Sequence, residues 1–371
     1  MEHPEKAASL CSFCPKLCRY TCPVSEAEKT EAVTPWGKMT AMKRVEDKEL
    51  PMAPETMALA YKCLNCRASE FACEHANPVS PTLDTYRVRA FRADMAPKTV
   101  YAFCQTFRKH NNPYDRDLQK TLRKKISPAR FGREGTVYFP GCREIATDLT
   151  TTEKTIDLLG IPLYPEPIQC CGYPLFAAGD WTDFTELAEV NRHALNNYDR
   201  IVTGAPQCLY TMETLYRSAG HGVRAKFQHV SEYLTSPEAP SLIRRGLGAV
   251  DGGGSVAYHD PCYLGRYRKT YDAPRKLIER VTHEPPLEFL LNRESSYCCG
   301  GGGLMPVSFP ETADAITKER VRQFRETGAE LLVTSCPACV ERFRKFGVET
   351  KSLVDFLSGS HETERKSLRR R

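Results

Sequence analysis

The decisive stretch runs Tyr258-His259-Asp260-Pro261-Cys262, then Cys298-Cys299-Gly300-Gly301-Gly302-Gly303, then Cys336-Pro337-Ala338-Cys339. Five thiols fall within it, two of them adjacent and two in a Cys-x-x-Cys turn. Structural zinc closes its shell at four ligands. Five converging thiolates suit a larger soft object, an iron–sulfur cluster. The glycines after Cys299 fit, because a backbone without Cβ turns sharply and brings its N–H groups close to cluster sulfurs. The bland alternative is a buried Gly-rich turn with inert cysteines, since one buried Cys is only a small hydrophobe. Five at this spacing outweigh it. No Gly-Lys-Ser/Thr follows the glycine run, so a nucleotide loop is rejected. His259 and Asp260 suit capping or a bond to sulfur. The sharper alternative makes His259 the catalytic candidate, delivering a proton to a substrate sulfur.

This cysteine pattern resembles the cysteine-rich CCG module of heterodisulfide reductase-type proteins. The resemblance implies that Cys262, Cys298, Cys299, Cys336 and Cys339 hold a non-cubane [4Fe–4S] cluster.

Working toward the N-terminus, Cys11-Ser-Phe-Cys14-Pro-Lys-Leu-Cys18-Arg-Tyr-Thr-Cys22-Pro23 has spacings of two, three and three. The bacterial ferredoxin run has two, two and three before its Cys-Pro, so one residue is extra here. Zinc is the weaker competitor. A second run, Cys63-Leu-Asn-Cys66-Arg-Ala-Ser69-Glu-Phe-Ala-Cys73-Glu-His75, keeps the ferredoxin spacing if Ser69 stands where a third cysteine belongs. In two-cluster ferredoxins the fourth cysteine of each run ligates the other cluster. By that crossing, Cys11, Cys14, Cys18 and Cys73 complete one cubane. Cys22, Cys63 and Cys66 hold another, with Ser69 at the remaining iron. Serine oxygen is a hard ligand for iron, so this second site is expected to be labile, a [3Fe–4S], or dependent on an outside ligand. His75 is a substitute ligand or, more commonly, a hydrogen-bond donor. Cys104 reads as packing.

Seventeen cysteines in 371 residues, behind a charged N-terminus without an apolar signal core, argue for metal rather than a disulfide scaffold. No run of eighteen apolar residues suggests a membrane span. A cytoplasmic protein is expected, with peripheral attachment to the inner face of the cell membrane permitted by the net charge of +6 and the basic tail Glu364–Arg371. Residues 87 to 130 are markedly basic. They read as a solvated helix surface or, functionally, as a docking face for an acidic flavoprotein or membrane. No recognised nucleic-acid motif accompanies the charge.

The fold expected is α/β: a helical ferredoxin-like domain over 1–130, then two tandem βα-alternating domains with parallel sheets, 131–247 and 248–371. Helices are expected over Glu55–Tyr61, Asp84–Met95 and Val100–Arg108, and later over Thr150–Leu159 and Phe184–Asn197. Strands are expected at Val137–Phe139, Ile161–Tyr164, Arg200–Thr203 and Phe227–Val230. In the second copy they are expected at Val256–Tyr258, Leu287–Leu290 and Leu331–Thr334, with Leu353–Leu357 closing the unit. Cys142, Cys171 and Cys208 recur as Cys262, Cys299 and Cys339 at offsets of about 120 to 131 residues, which marks a duplication. The seam is Thr235–Gly254. The first copy has Ala205 where the second has Cys336. Its Cys142, Cys170, Cys171 and Cys208 could hold an iron–sulfur cluster or zinc, or be a metal-free relic.

Two cysteine runs followed by two CCG modules resemble the iron–sulfur subunits of anaerobic glycerol-3-phosphate dehydrogenase and glycolate oxidase, and the catalytic subunit of membrane heterodisulfide reductase. The resemblance implies electron transport between an FAD-linked dehydrogenase, oxidase or electron-transfer flavoprotein and a quinone or membrane cytochrome. No flavin or nicotinamide fingerprint occurs in this chain, so hydride chemistry is expected elsewhere. The second hypothesis is a true reductase that cleaves a disulfide-type substrate at the non-cubane cluster. A metal-stapled interaction module is the third.

Overall fold

The computed structural model describes residues 4–12, 14, 17–165, 170–240 and 254–359. Among these, no extended strand precedes Thr136, and the N-terminal part is helical as expected. The helix Pro35–Glu46 shows why. Thr34 Oγ1 accepts the Gly37 N–H at 2.9 Å, and Pro35 fills the first helical position, where a missing N–H costs nothing. Met39, Met42 and Val45 are buried along this helix, which packs on helices Pro4–Ser12 and Val79–Arg92. Each such side chain removed from water contributes about 1.5–3 kcal/mol.

Between helices Pro54–Tyr61 and Ala68–Phe71 runs the loop that carries Cys63 and Cys66. It holds Asn65 and Arg67 in left-handed backbone, φ 51° and 58°. Such residues cost about 1–3 kcal/mol each and persist where their surroundings impose them. Here Asn65 donates to Asp84 at 2.8 Å, and its carbonyl accepts the Tyr267 hydroxyl at 2.7 Å.

Most of the basic residues between 87 and 130 are exposed, as a solvated helix face requires, but Arg87 is not. It is fully buried in the helix Val79–Arg92. Its Nε donates to the Ala60 carbonyl at 3.0 Å and its Nη2 to the Cys63 carbonyl at 2.6 Å. Its Nη1 reaches the carbonyls of Ala177 at 3.1 Å and Gly303 at 3.3 Å. One guanidinium therefore ties the N-terminal helices to both halves of the duplicated region.

That region forms two three-stranded parallel sheets with strands in sequential order. The first holds β1 (Thr136–Tyr138), β2 (Arg200–Thr203) and β3 (Lys226–His229); the second holds β4 (Val256–His259), β5 (Leu331–Thr334) and β6 (Thr350–Ser352). Val137 pairs with Ile201 and Ile201 with Phe227; correspondingly, Tyr258 pairs with Val333 and Val333 with Lys351. Two expected strands are not formed. Ile161–Tyr164 gives only bridges from Leu163 to Phe131 and Tyr138, and Leu287–Leu290 only one from Leu287 to Ala257. Prolines limit both: Pro162 inside one removes a ladder donor, and Pro165 after it and Pro285 and Pro286 before the other keep each pairing to the few residues between. Leu290 ends up 96% exposed. Leu353–Leu357, expected to close the unit, is helical over 353–359 and follows the short strand β6. The helices expected from Asp84 and Phe184 begin earlier, as Val79–Arg92 and Trp181–Leu195. Most of the seam and the whole basic tail lie outside the described residues.

Candidate metal centres

Parallel strands deliver the cysteines to one end of each sheet. Cys142 opens the helix after β1, Cys208 lies in the helix Pro206–Tyr210 after β2, and Cys336 caps the helix Pro337–Lys345 after β5. Open α/β sheets place their sites at these carboxyl ends.

In the helical part, Cys11, Cys14, Cys18 and Cys73 line a single pocket, with Ser69, His75 and Asn77 on its wall. The Asn77 amide donates to Cys11 Sγ at 2.9 Å. Burial pushes the Cys11 thiol up to about 12 and Cys18 up to about 11, and the neighbouring thiols push the same way. Ser69, expected at the iron held by Cys22, Cys63 and Cys66, lines this pocket with Cys73, because the short helix Ala68–Phe71 leads directly to Cys73. Cys22 and Cys63 lie near an unexpected group. Lys38 is buried, donates to the Lys62 carbonyl at 2.7 Å, and lies 3.9 Å from Cys22 Sγ. Burial raises the Cys63 thiol, while Lys38 and Arg87 oppose the rise.

Cys66 faces the second cysteine module. It is buried in one cluster with Cys298, against which Cys262 packs, and Cys298 together with burial holds Cys66 and Cys262 well above the ordinary thiol range. The contacts continue: Cys298 and Cys339 hold Cys299 well below that range, with Cys339 and Cys299 sulfurs 3.1 Å apart. Cys339 likewise brings Cys336 down to about 7. The five thiols of this module thus form one continuous set, with Cys66 added from the N-terminal part. His259, Cys299 and Cys339 offer ligand atoms within 4.8 Å of one another. His259 Nδ1 accepts from Arg320 Nε at 3.3 Å, and its buried Nε2 has no partner. Burial, then Arg320, keeps the ring neutral, so with Nδ1 accepting from Arg320 its proton sits on Nε2, which can donate a hydrogen bond. Asp260 has the structural role, gripped by Arg275 at 2.7 and 2.8 Å and by the Arg293 N–H at 2.8 Å.

In the first module Cys142 and Cys170 sulfurs are 3.5 Å apart, and Cys171 interacts with both Cys170 and Cys208. These four share a cleft with Ala205 and, from the other module, Gly301 and Cys336. Cys336 therefore lines the wall of both thiol sets.

All seventeen cysteines are free. Sulfur separations of 3.1 and 3.5 Å exceed the roughly 2.05 Å of a disulfide. Buried soft donors this close, with the Lys38 ammonium 3.9 Å from one of them, fit iron–sulfur ligation; more than four contiguous thiols exceed a zinc shell. Spacing did not mark Lys38, Arg87, Arg266 or Arg320, because a lone basic residue looks like surface in sequence. The glycine run has another task besides. A Cβ on Gly302 or Gly303 would overlap the Leu64 or Cys63 carbonyl, so these glycines let the N-terminal cysteine loop dock.

Comparison with known proteins agrees. The chain is 24% identical over 294 residues to one component of the dihydromethanophenazine:CoB–CoM heterodisulfide reductase of Methanosarcina barkeri, covering 75% of this chain and 71% of that one. It is 30% identical over 175 residues to one component of the CoM/CoB fumarate reductase of Methanothermobacter marburgensis, covering 47% of this chain. That match spans 34% of the longer relative. A hypothetical protein from Helicobacter pylori shares the fold, with a TM-score of 0.54, 8% identity, and coverage of 88% of this chain and 68% of the other. No described helix is long and apolar enough to cross a membrane. Residues 136–213 and 256–344 match the cysteine-rich domain model named CCG, and the chain carries this domain twice.

Proposed function

We propose that the chain is the iron–sulfur electron-transfer subunit of an oxidoreductase complex, relaying electrons between a flavoprotein dehydrogenase and a quinone or other acceptor. The carrying observation is the continuity of its thiols. Cys66 meets Cys298, and the set containing Cys298 ends at Cys336, in the cleft of Cys142, Cys170, Cys171 and Cys208. A [4Fe–4S] cubane at Cys11, Cys14, Cys18 and Cys73, and a non-cubane cluster at Cys262, Cys298, Cys299, Cys336 and Cys339, would supply one-electron transfer. The chain's own part is to exclude water, hold the thiols, and offset their charge with Lys38, Arg266 and Arg320. Anaerobic iron and sulfide analysis with EPR tests this. Several irons per chain, reduced by dithionite and reoxidised by a quinone analogue, are expected; an iron-free, folded preparation overturns it.

The cleft between the two domains favours a second reading, direct reduction of a disulfide-type substrate. Cys142, Cys170, Cys171 and Cys208 line it from one side and Cys336 from the other. Turnover of a disulfide with a reduced viologen and no partner protein distinguishes the two.

A further inference from the structure

Spacing assigns Cys66 to the N-terminal run, yet Cys66 and Cys298 are buried in one cluster, and Cys262 packs against it. The second cysteine-rich domain grips this loop directly. Arg266 Nε donates to the Cys66 carbonyl at 2.5 Å, and its Nη1 donates to the carbonyls of Glu294 at 3.0 Å and Ser296 at 2.7 Å. Tyr267, next in sequence, holds Asn65. Arg266 is 5% exposed, and its Nη2 is buried without a partner. An unsatisfied buried donor costs free energy, more so when charged. The thiols interacting electrostatically with this guanidinium are Cys66, Cys262 and Cys298.

Building on the iron–sulfur reading above, we propose that Cys66, Cys262 and Cys298 form one iron-binding thiolate set across the domain interface, with Arg266 Nη2 donating to a sulfur of that set. The N-terminal segment then contributes a ligand to the centre of the second cysteine-rich domain. Arg266 acts as a positioning residue whose charge favours the reduced, more negative state. Nothing else in the packing supplies that Nη2 with an acceptor among the described residues.

The test uses the full chain, purified anaerobically with its iron. Single variants Cys66→Ser, Cys22→Ser, Cys262→Ser and Cys298→Ser are compared by iron content and EPR. The proposal expects Cys66→Ser to lose the same signal as Cys262→Ser and Cys298→Ser, while Cys22→Ser keeps it. If Cys66→Ser instead removes the Cys22→Ser signal and leaves that of Cys298→Ser intact, the proposal is overturned. Arg266→Gln should lower the reduced-to-oxidised ratio of that signal at fixed potential at least tenfold, about 59 mV for one electron. Arg266→Lys should restore part of the shift. An unchanged potential in folded, iron-replete Arg266→Gln overturns the role of Arg266; should that variant not fold, Arg266→Lys against wild type and the grouping of Cys66→Ser decide. Iron-free wild-type protein would sink the electron-transfer reading instead, so the two failures are distinguishable.

Discussion

Gly303 lies so close to the Cys63 carbonyl that a Cβ at that position would overlap the oxygen. Its φ is +59°, so alanine there would suffer both backbone strain and a collision with main chain that cannot rotate away. Gly303→Ala is expected to cost about 2–4 kcal/mol in chemical denaturation. Gly328 is the control: its φ is +72° but nothing lies within 4 Å of a Cβ there, so Gly328→Ala should cost about 1 kcal/mol. Equal losses would show that contact with the cysteine loop is not what requires glycine at 303.

Arg87 answers four carbonyls from three parts of the chain. Arg87→Met should fit the space but leave those oxygens without donors, destabilising by about 3–5 kcal/mol. Arg87→Lys should rescue little, because one ammonium cannot span the positions a planar guanidinium reaches. A shift in denaturation midpoint for both variants, with the Met form no more than slightly worse, is the expected outcome.

His229 gives stability a pH dependence of known sign. Burial holds its folded pKa down, to about 4, against an ordinary value of 6.5. Glu232 opposes the shift and Arg268 adds to it, while Gly204 and Ser335 face the ring with backbone groups. Between those values the unfolded chain binds the proton and the folded chain does not. Stability is therefore full above about pH 6.5 and falls as pH drops through 4, by at most about 3 kcal/mol. His229→Asn keeps a side chain able to cap the helix Val230–Thr235 and should flatten this slope in denaturation measured between pH 4 and 7.

The spacing of the cysteines carried most of the site, because thiol ligands on short loops must be near in sequence. Cys11, Cys14, Cys18 and Cys73 line one pocket, but so does Ser69, which the crossing of the two runs assigned to the other set. The duplication was legible for the same reason, since β2 and β5 precede matching cysteines. Local signals failed where tertiary contact decided the outcome. Leu287–Leu290 looks like a strand, yet only Leu287 bridges to Ala257, and Pro285 and Pro286 prevent the ladder from extending before it. Arg87 sits in a basic run, and only packing shows that it is interior. The partner of Cys66 lies far along the chain at Cys298, a distance that spacing arguments do not reach.

Ala205 is the position at which the two cysteine-rich domains differ most clearly. It sits on the wall of the cleft with Cys142, Cys170, Cys171 and Cys208, 8% exposed, and its Cβ would come within 3.1 Å of a Cβ on Gly141. Because Gly141 has no Cβ, the sulfur of an Ala205→Cys side chain has space on the cleft side. The change restores the Cys-x-x-Cys turn with Cys208 and gives this domain the five-thiol pattern of its twin. Soft thiolates determine iron capacity, so the variant is expected to carry more iron per chain than wild type after anaerobic loading. Its stability should stay within about 1 kcal/mol of wild type, since one added atom on a cleft wall displaces no packed neighbour. Metal analysis read beside EPR and chemical denaturation checks both statements, and a lowered stability without added iron would show that Ala205 is there for packing.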